Sequence, residues 1–144
     1  MMSLWALDTS VLVAALLRRH PAHDRCQDVL RRAEAEGSTL VICAHAVAET
    51  FSVLCRMPLS PPLTPSAAET LIEREVVARC RILPVDGELE RQAVRACVAI
   101  GRGGGLVHDA LHVVCARQAG AAALWTLNQR DFVPLWDAAH VRAP

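Results

Sequence analysis

The sequence predicts a three-layer α/β/α domain around a central, mainly parallel sheet of about four to five strands. Three observations point there. Short apolar runs alternate with segments of helical period along the whole chain. Strands separated by helices pair in parallel, because parallel neighbours need a long crossover between them. The 144 residues are 53% hydrophobic, which suits one globular domain spanning 1–144 with a full core.

Residues 3–7 (SLWAL) read as a buried strand, followed by a helix from about Thr9 to Arg18. A second helix runs from His20 to Glu36, with Gly37 as its stop. Residues 39–43 (TLVIC) form a second strand and 44–56 a helix. A turn rich in proline follows, with Pro58, Pro61, Pro62 and Pro65. Ser66 and Glu69 fit a capping box that opens the next helix. Residues 81–85 (RILPV) read as the third strand. Asp86 caps a helix that reaches about Ile100, and Gly101, Gly103, Gly104 and Gly105 make a loop. Residues 107–119 are helical, 122–126 (AALWT) a strand and 133–136 (VPLW) a short edge strand.

Composition narrows the function classes. No apolar run free of charge approaches the ~20 residues of a membrane span. The start, MMSLWALDTS, lacks a basic n-region and carries an acid, which argues against a secretory signal and for the cytoplasm. The six cysteines form no C-x-x-C pair and sit among apolar neighbours, as buried free thiols do. All fifteen basic residues are arginine, yet the net charge is zero. Any nucleic-acid contact must therefore rest on local arginines or on metal ions.

Four acids lie beside apolar runs: Asp8, Glu49, Asp109 and Asp131. A carboxylate is costly there unless its charge is compensated. In open parallel sheets ligands bind at the carboxyl ends of the strands, and all four acids map towards that edge. One acidic pocket of that size suits a hard divalent cation, Mg2+ or Mn2+. Each acid also has a plainer reading. Asp8 in Asp8-Thr9-Ser10 is a good helix cap, and Ser10 could orient it or a water. Glu49 lies near the edge of an apolar stripe with Val47, Phe51 and Leu54. Asp109 is favoured at a helix start by the dipole. Asn128 and Asp131 suit a turn, although either could reach the pocket.

Other clusters carry less. His108 and His112 share a helix face, but His-Asp-x-x-His is not a zinc-protease motif. His20, His23 and Cys26 offer three ligands with no fourth in view. The glycine loop lacks the Lys-Ser/Thr of a phosphate-binding loop, although Arg102 within it suits a phosphate.

Taken together, four segments resemble the PIN-domain ribonucleases, particularly VapC-type toxins of toxin–antitoxin pairs. They are LDTSVL, AVAET, HDALHVVCA and TLNQRDF, and the likeness covers nearly the whole chain. HPAHDRC is similar to the start of the family's second helix. The resemblance implies an endoribonuclease that uses Mg2+ or Mn2+ held by Asp8, Glu49 and Asp109. A fourth contribution would come from Asp131 or from Asn128, which stands where many members carry an acid. It also implies a homodimer and a cognate antitoxin gripping about residues 50–78. The alternatives are a PIN-domain RNA-processing nuclease outside such a pair and a catalytically weak binding module. A haloacid-dehalogenase phosphatase needs a second Asp where Ser10 stands, and it needs a lysine, as does a receiver module. The chain has none.

Overall fold

The computed structural model describes residues 2–144. Its strands are β1 (Leu4–Leu7), β2 (Thr39–Cys43), β3 (Arg81–Leu83), β4 (Ala123–Trp125) and β5 (Val141–Arg142). They form one sheet in the order β3-β2-β1-β4-β5, and every pairing is parallel. The helices are α1 (Thr9–Leu16), α2 (His23–Glu36), α3 (His45–Arg56), α4 (Pro65–Ile72), α5 (Gly87–Ala99), α6 (Leu106–Gln118) and α7 (Gln129–Phe132). A π-helical turn, Glu73–Val77, continues α4.

Alternation along the strands sorts side chains into two cores. Trp5, Leu7, Leu40, Ile42, Ala123 and Trp125 face one core, shared with α1 to α4. Ala6, Val41, Cys43 and Leu124 face the other, with α5, α6 and α7. The expected α/β/α layering follows directly. The sheet grows from β1 through β2 to β3 on one side, and then the chain returns to place β4 on the other. The order therefore reverses at β1, and the crevice at the carboxyl ends of β1 and β4 is the natural ligand site.

Several boundaries differ from expectation. Helix α1 ends at Leu16 because Leu17 is extended, and the segment to Pro21 forms a turn. Helix α2 accordingly begins at His23, not His20. Helix α4 is capped by Thr64, whose Oγ1 accepts the Ala67 N–H at 3.1 Å, with Pro65 in the first helical position. The Ser66–Glu69 box is thus displaced by two residues. Strand β3 stops at Leu83, before Pro84, which has no N–H to give the ladder. Residues 133–136 are not a strand. Val133–Leu135 form a 3-10 turn, which Pro134 tolerates, and the edge strand is β5. Asp86 caps α5 as expected, accepting the Leu89 N–H at 2.8 Å.

Among the described residues, no helix is long and apolar enough to cross a membrane. All six cysteines are free thiols, five of them buried and Cys55 half-buried.

Candidate active site

Asp8 is the first residue after β1, and its own N–H donates to Trp125 O across to β4. Its carboxylate is both a helix cap and a buried functional group. Oδ1 accepts the Val11 N–H at 3.2 Å and the Ser10 hydroxyl at 2.7 Å. Oδ2 accepts the Thr126 hydroxyl at 2.8 Å. Thr126, fully buried at the end of β4, also accepts the Asn128 N–H, while Ser10 accepts the Leu127 N–H. One small network therefore ties the ends of β1 and β4 together around Asp8. Burial still pushes the Asp8 carboxyl above its ordinary range, against the opposing pull of His112 and these donors.

Glu49 enters from the second turn of α3. Burial works to raise its pKa, but hydrogen bonds from His112 and Thr9 and the charges of His112 and His45 outweigh it. The carboxyl is held at about 2. Nε2 of His112 stands 3.0 Å from Oε1, the Thr9 hydroxyl donates to the same oxygen, and Nε2 of His45 lies 3.5 Å from Oε2. His112 is itself raised, since Glu49, Asp8 and Cys43 together outweigh its burial. His108 stacks on His45 with ring centroids 5.0 Å apart.

Asp109 lies in the first turn of α6. Burial, and then repulsion from Asp8, Asp131 and Glu49, lift its carboxyl to about 6, with His112 opposing. Neither Asp8 nor Asp109 forms an ion pair among the described residues. Asp8, Glu49 and Asp109 thus converge on one cavity of about 400 Å3, lined also by Thr9, Ser10, His112 and Asn128.

Asp131 stands apart from that lining. It sits on α7, where Arg102 donates to it at 2.8 Å and Asn128 Nδ2 at 2.7 Å. These donors lower its pKa. Its charge still reaches Asp109, so it belongs to the rim, while Asn128 faces the cavity. Arg102, expected to be free for a phosphate, is committed to Asp131.

The two possible zinc clusters dissolve. Cys26 is buried in the core, His20 Nδ1 accepts the Ala22 N–H at 3.0 Å, and His23 Nδ1 lies 2.9 Å from Ala14 O. His112 is taken by Glu49.

Among the described residues, no three His, Cys, Asp or Glu groups are placed so that together they could hold a metal ion. The donor set nonetheless fits a hard divalent cation. It is made of carboxylate oxygens, and Asp8 and Asp109 remain raised by burial, with no ion-pair partner among the described residues. A Mg2+ ion keeps several waters and needs only one or two carboxylates.

Thr9, His45, His112 and Thr126 were not expected in these supporting roles. The Asp8-Thr9-Ser10 run and the i, i+4 histidines were visible signals. Thr126 carried none beyond ending a strand.

The chain matches the PIN domain over residues 6–133. It is 33% identical over 113 residues to "Ribonuclease VapC27" of Mycobacterium tuberculosis, covering 78% of this chain and 77% of that one. It is also 33% identical over 119 residues to "Ribonuclease VapC40" of the same species, covering 83% of each. Among solved structures, DNA-bound VapBC from Salmonella typhimurium superposes with a TM-score of 0.71 at 18% identity, over 99% of this chain and 98% of that one. Mycobacterium tuberculosis VapC20, described as a Sarcin-Ricin loop cleaving toxin, gives 0.69 at 19% identity, over 88% and 92%. At such identities the structural likeness speaks for the fold.

Proposed function

The chain belongs to the PIN-domain family, and from that premise we propose that it is a VapC-type endoribonuclease toxin that needs Mg2+ or Mn2+ for cleavage. The observation that carries the metal requirement is the convergence of Asp8, Glu49 and Asp109 on one cavity, with the Asp109 carboxyl lifted to about 6. A bare cluster of this kind repels RNA phosphate and itself. Bound there, a divalent cation would lower the pKa of water, neutralise the phosphate and stabilise the leaving oxygen.

The chain's own residues set the stage. Asp8, Glu49 and Asp109 are the ligands, with Asn128 or Asp131 as a fourth contributor. Ser10 and Thr126 fix the Asp8 carboxylate by donating to both of its oxygens. Thr9 and His112 fix Oε1 of Glu49, and His45 lies 3.5 Å from Oε2, so the carboxylate is held from both oxygens. Hydrolysis by in-line attack on phosphorus would leave a 5′-phosphate and a 3′-hydroxyl.

The partners of this reading are RNA and a cognate antitoxin docking over about residues 50–78, a span that includes the cavity-lining Val53, Arg56 and Met57. A homodimer and a cytoplasmic location complete it. Exposed Val94 and Val98 on α5 would suit burial against a second copy.

The test is cleavage of RNA by purified protein with Mn2+, beside the Asp8→Asn and Asp109→Asn variants. Loss in both variants supports the assignment, and surviving cleavage in both moves the activity elsewhere. Inducing the chain alone should arrest growth and Asp8→Asn should relieve the arrest; normal growth on induction rules out the toxin role.

A further inference from the structure

Helix α3 carries more than Glu49 into the pocket. Glu49, Val53 and Arg56 stand at i, i+4 and i+7, so one stripe of the helix runs from the carboxylate to its last residue. Seven helical residues span about 10 Å. Met57 follows at the C-cap, and the turn between α1 and α2 brings His20 to the same cavity. The cavity is acidic where Asp8, Glu49 and Asp109 meet, and basic and apolar along the end of α3.

The donors at that end have no acidic partner among the described residues. Nε of Arg56 donates to Ser52 O at 3.3 Å, and no acidic side chain among the described residues pairs with its guanidinium. Nδ1 of His20 accepts the Ala22 N–H at 3.0 Å, which places the ring proton on Nε2 and leaves it free to donate. Val53 and Met57 add an apolar face. Two donors around an apolar face match a ligand that alternates acceptors with flat, weakly polar surface. An unstacked nucleotide in single-stranded RNA has that make-up, with an anionic phosphate at each step and a base between.

We propose that His20, Val53, Arg56 and Met57 form the seat of the nucleotide beside the cleaved bond. The base lies on Val53 and Met57, Nε2–H of His20 donates to an acceptor on its edge, and the Arg56 guanidinium takes the adjoining phosphate. Affinity then rests on Arg56 and base preference on His20, because phosphate contacts position and base contacts specify. The inference rests on the ribonuclease reading and adds which nucleotide contacts the chain makes.

The experiment uses full-length wild type, His20→Ala and Arg56→Ala with Mn2+ on a single-stranded RNA pool of randomised sequence, and the cleaved ends are sequenced. His20→Ala should flatten the base preference at one position beside the cut while cleavage persists. Arg56→Ala should raise KM more than it lowers kcat and reduce the salt slope of binding by about 1. Fluorescence anisotropy of the same pool, labelled, on the Asp8→Asn protein in EDTA reads binding without cleavage. There, adding Arg56→Ala should weaken binding severalfold. Unchanged base preference together with unchanged binding overturns the proposal. So does a result in which the variants cut and bind RNA as wild type does but escape antitoxin inhibition, which gives this wall to the protein partner. If wild type cleaves no RNA, the ribonuclease reading fails, and the anisotropy result alone decides whether the seat exists.

Discussion

Nε2 of His112 stands 3.0 Å from Oε1 of Glu49, in a buried position whose other ring nitrogen has no partner. The ring's shortest polar contact is that carboxylate, with the Thr9 hydroxyl 3.5 Å from the same nitrogen. His112→Leu should lower Mn2+ affinity and cleavage by about 10–100-fold, the usual loss when a ligand's supporting partner is removed. His112→Gln, which can still donate, should recover part of it. Calorimetric Mn2+ titration beside kcat/KM checks this. Lost cleavage with unaltered Mn2+ affinity would give His112 a task on RNA instead.

Asp109 links stability to pH in the direction opposite to a salt-bridged acid. Its folded pKa of about 6 lies above the ordinary 3.8. Between those values the folded chain keeps a proton that the unfolded chain has released, so stability falls as pH rises through this window. The loss is complete above about pH 6 and amounts to roughly 1–3 kcal/mol, the lower end allowing for solvent screening. In EDTA, Asp109→Asn should melt higher than wild type at pH 7, with the advantage gone near pH 4, and should cleave nothing. Thermal unfolding at the two pH values reads this, and a wild type that melts higher at both would contradict it.

Metal binding should follow the same group. Asp109 must be ionised to act as a ligand, so apparent Mn2+ affinity should climb from about pH 5 to pH 7 and then level off. A flat profile across that range would mean that Asp109 is not a ligand.

Thr126 donates to Asp8 Oδ2 and accepts the Asn128 N–H, with no exposure to solvent. Thr126→Val keeps the shape and removes both bonds. It should cost about 2 kcal/mol in urea unfolding, because a buried carboxylate oxygen and a backbone N–H both lose a partner. It should also weaken Mn2+ binding. A change within the error of the measurement would show that water fills the gap.

Asn128 and Asp131 now separate. Asp131 is occupied by Arg102 and Asn128 at the rim, and such exposed pairs contribute little. Asp131→Asn should reduce cleavage by at most about tenfold, and Asn128→Ala by more, since Asn128 lines the cavity. The reverse order in kcat/KM would return Asp131 to the metal.

The sheet and its layers were legible because short apolar runs such as SLWAL and TLVIC, buried on both faces, stand between helical segments. The edge strand was not. Residues 133–136 have strand-like composition, but Pro134 and the packing of Phe132 and Leu135 turn them into a helical bend, leaving the two-residue β5 to close the sheet. Asp8, Glu49 and Asp109 were legible as acids next to apolar runs. Their long-range supports were not, since Thr126 and His112 become partners only when β4 is brought beside β1 and α6 beside α3. Direction was the other hidden quantity. Asp131 and Asn128 are three residues apart on one short turn, and only the Arg102 contact reveals which way the carboxylate faces.

The three converging acids come from far apart in the chain, with about a hundred residues between Asp8 and Asp109. No fragment that emerges early from the ribosome holds the whole centre. Thr126, which anchors Asp8 from the end of β4, comes later still than Asp109. The centre therefore exists only once the end of β1, α3, the start of α6 and the end of β4 have come together.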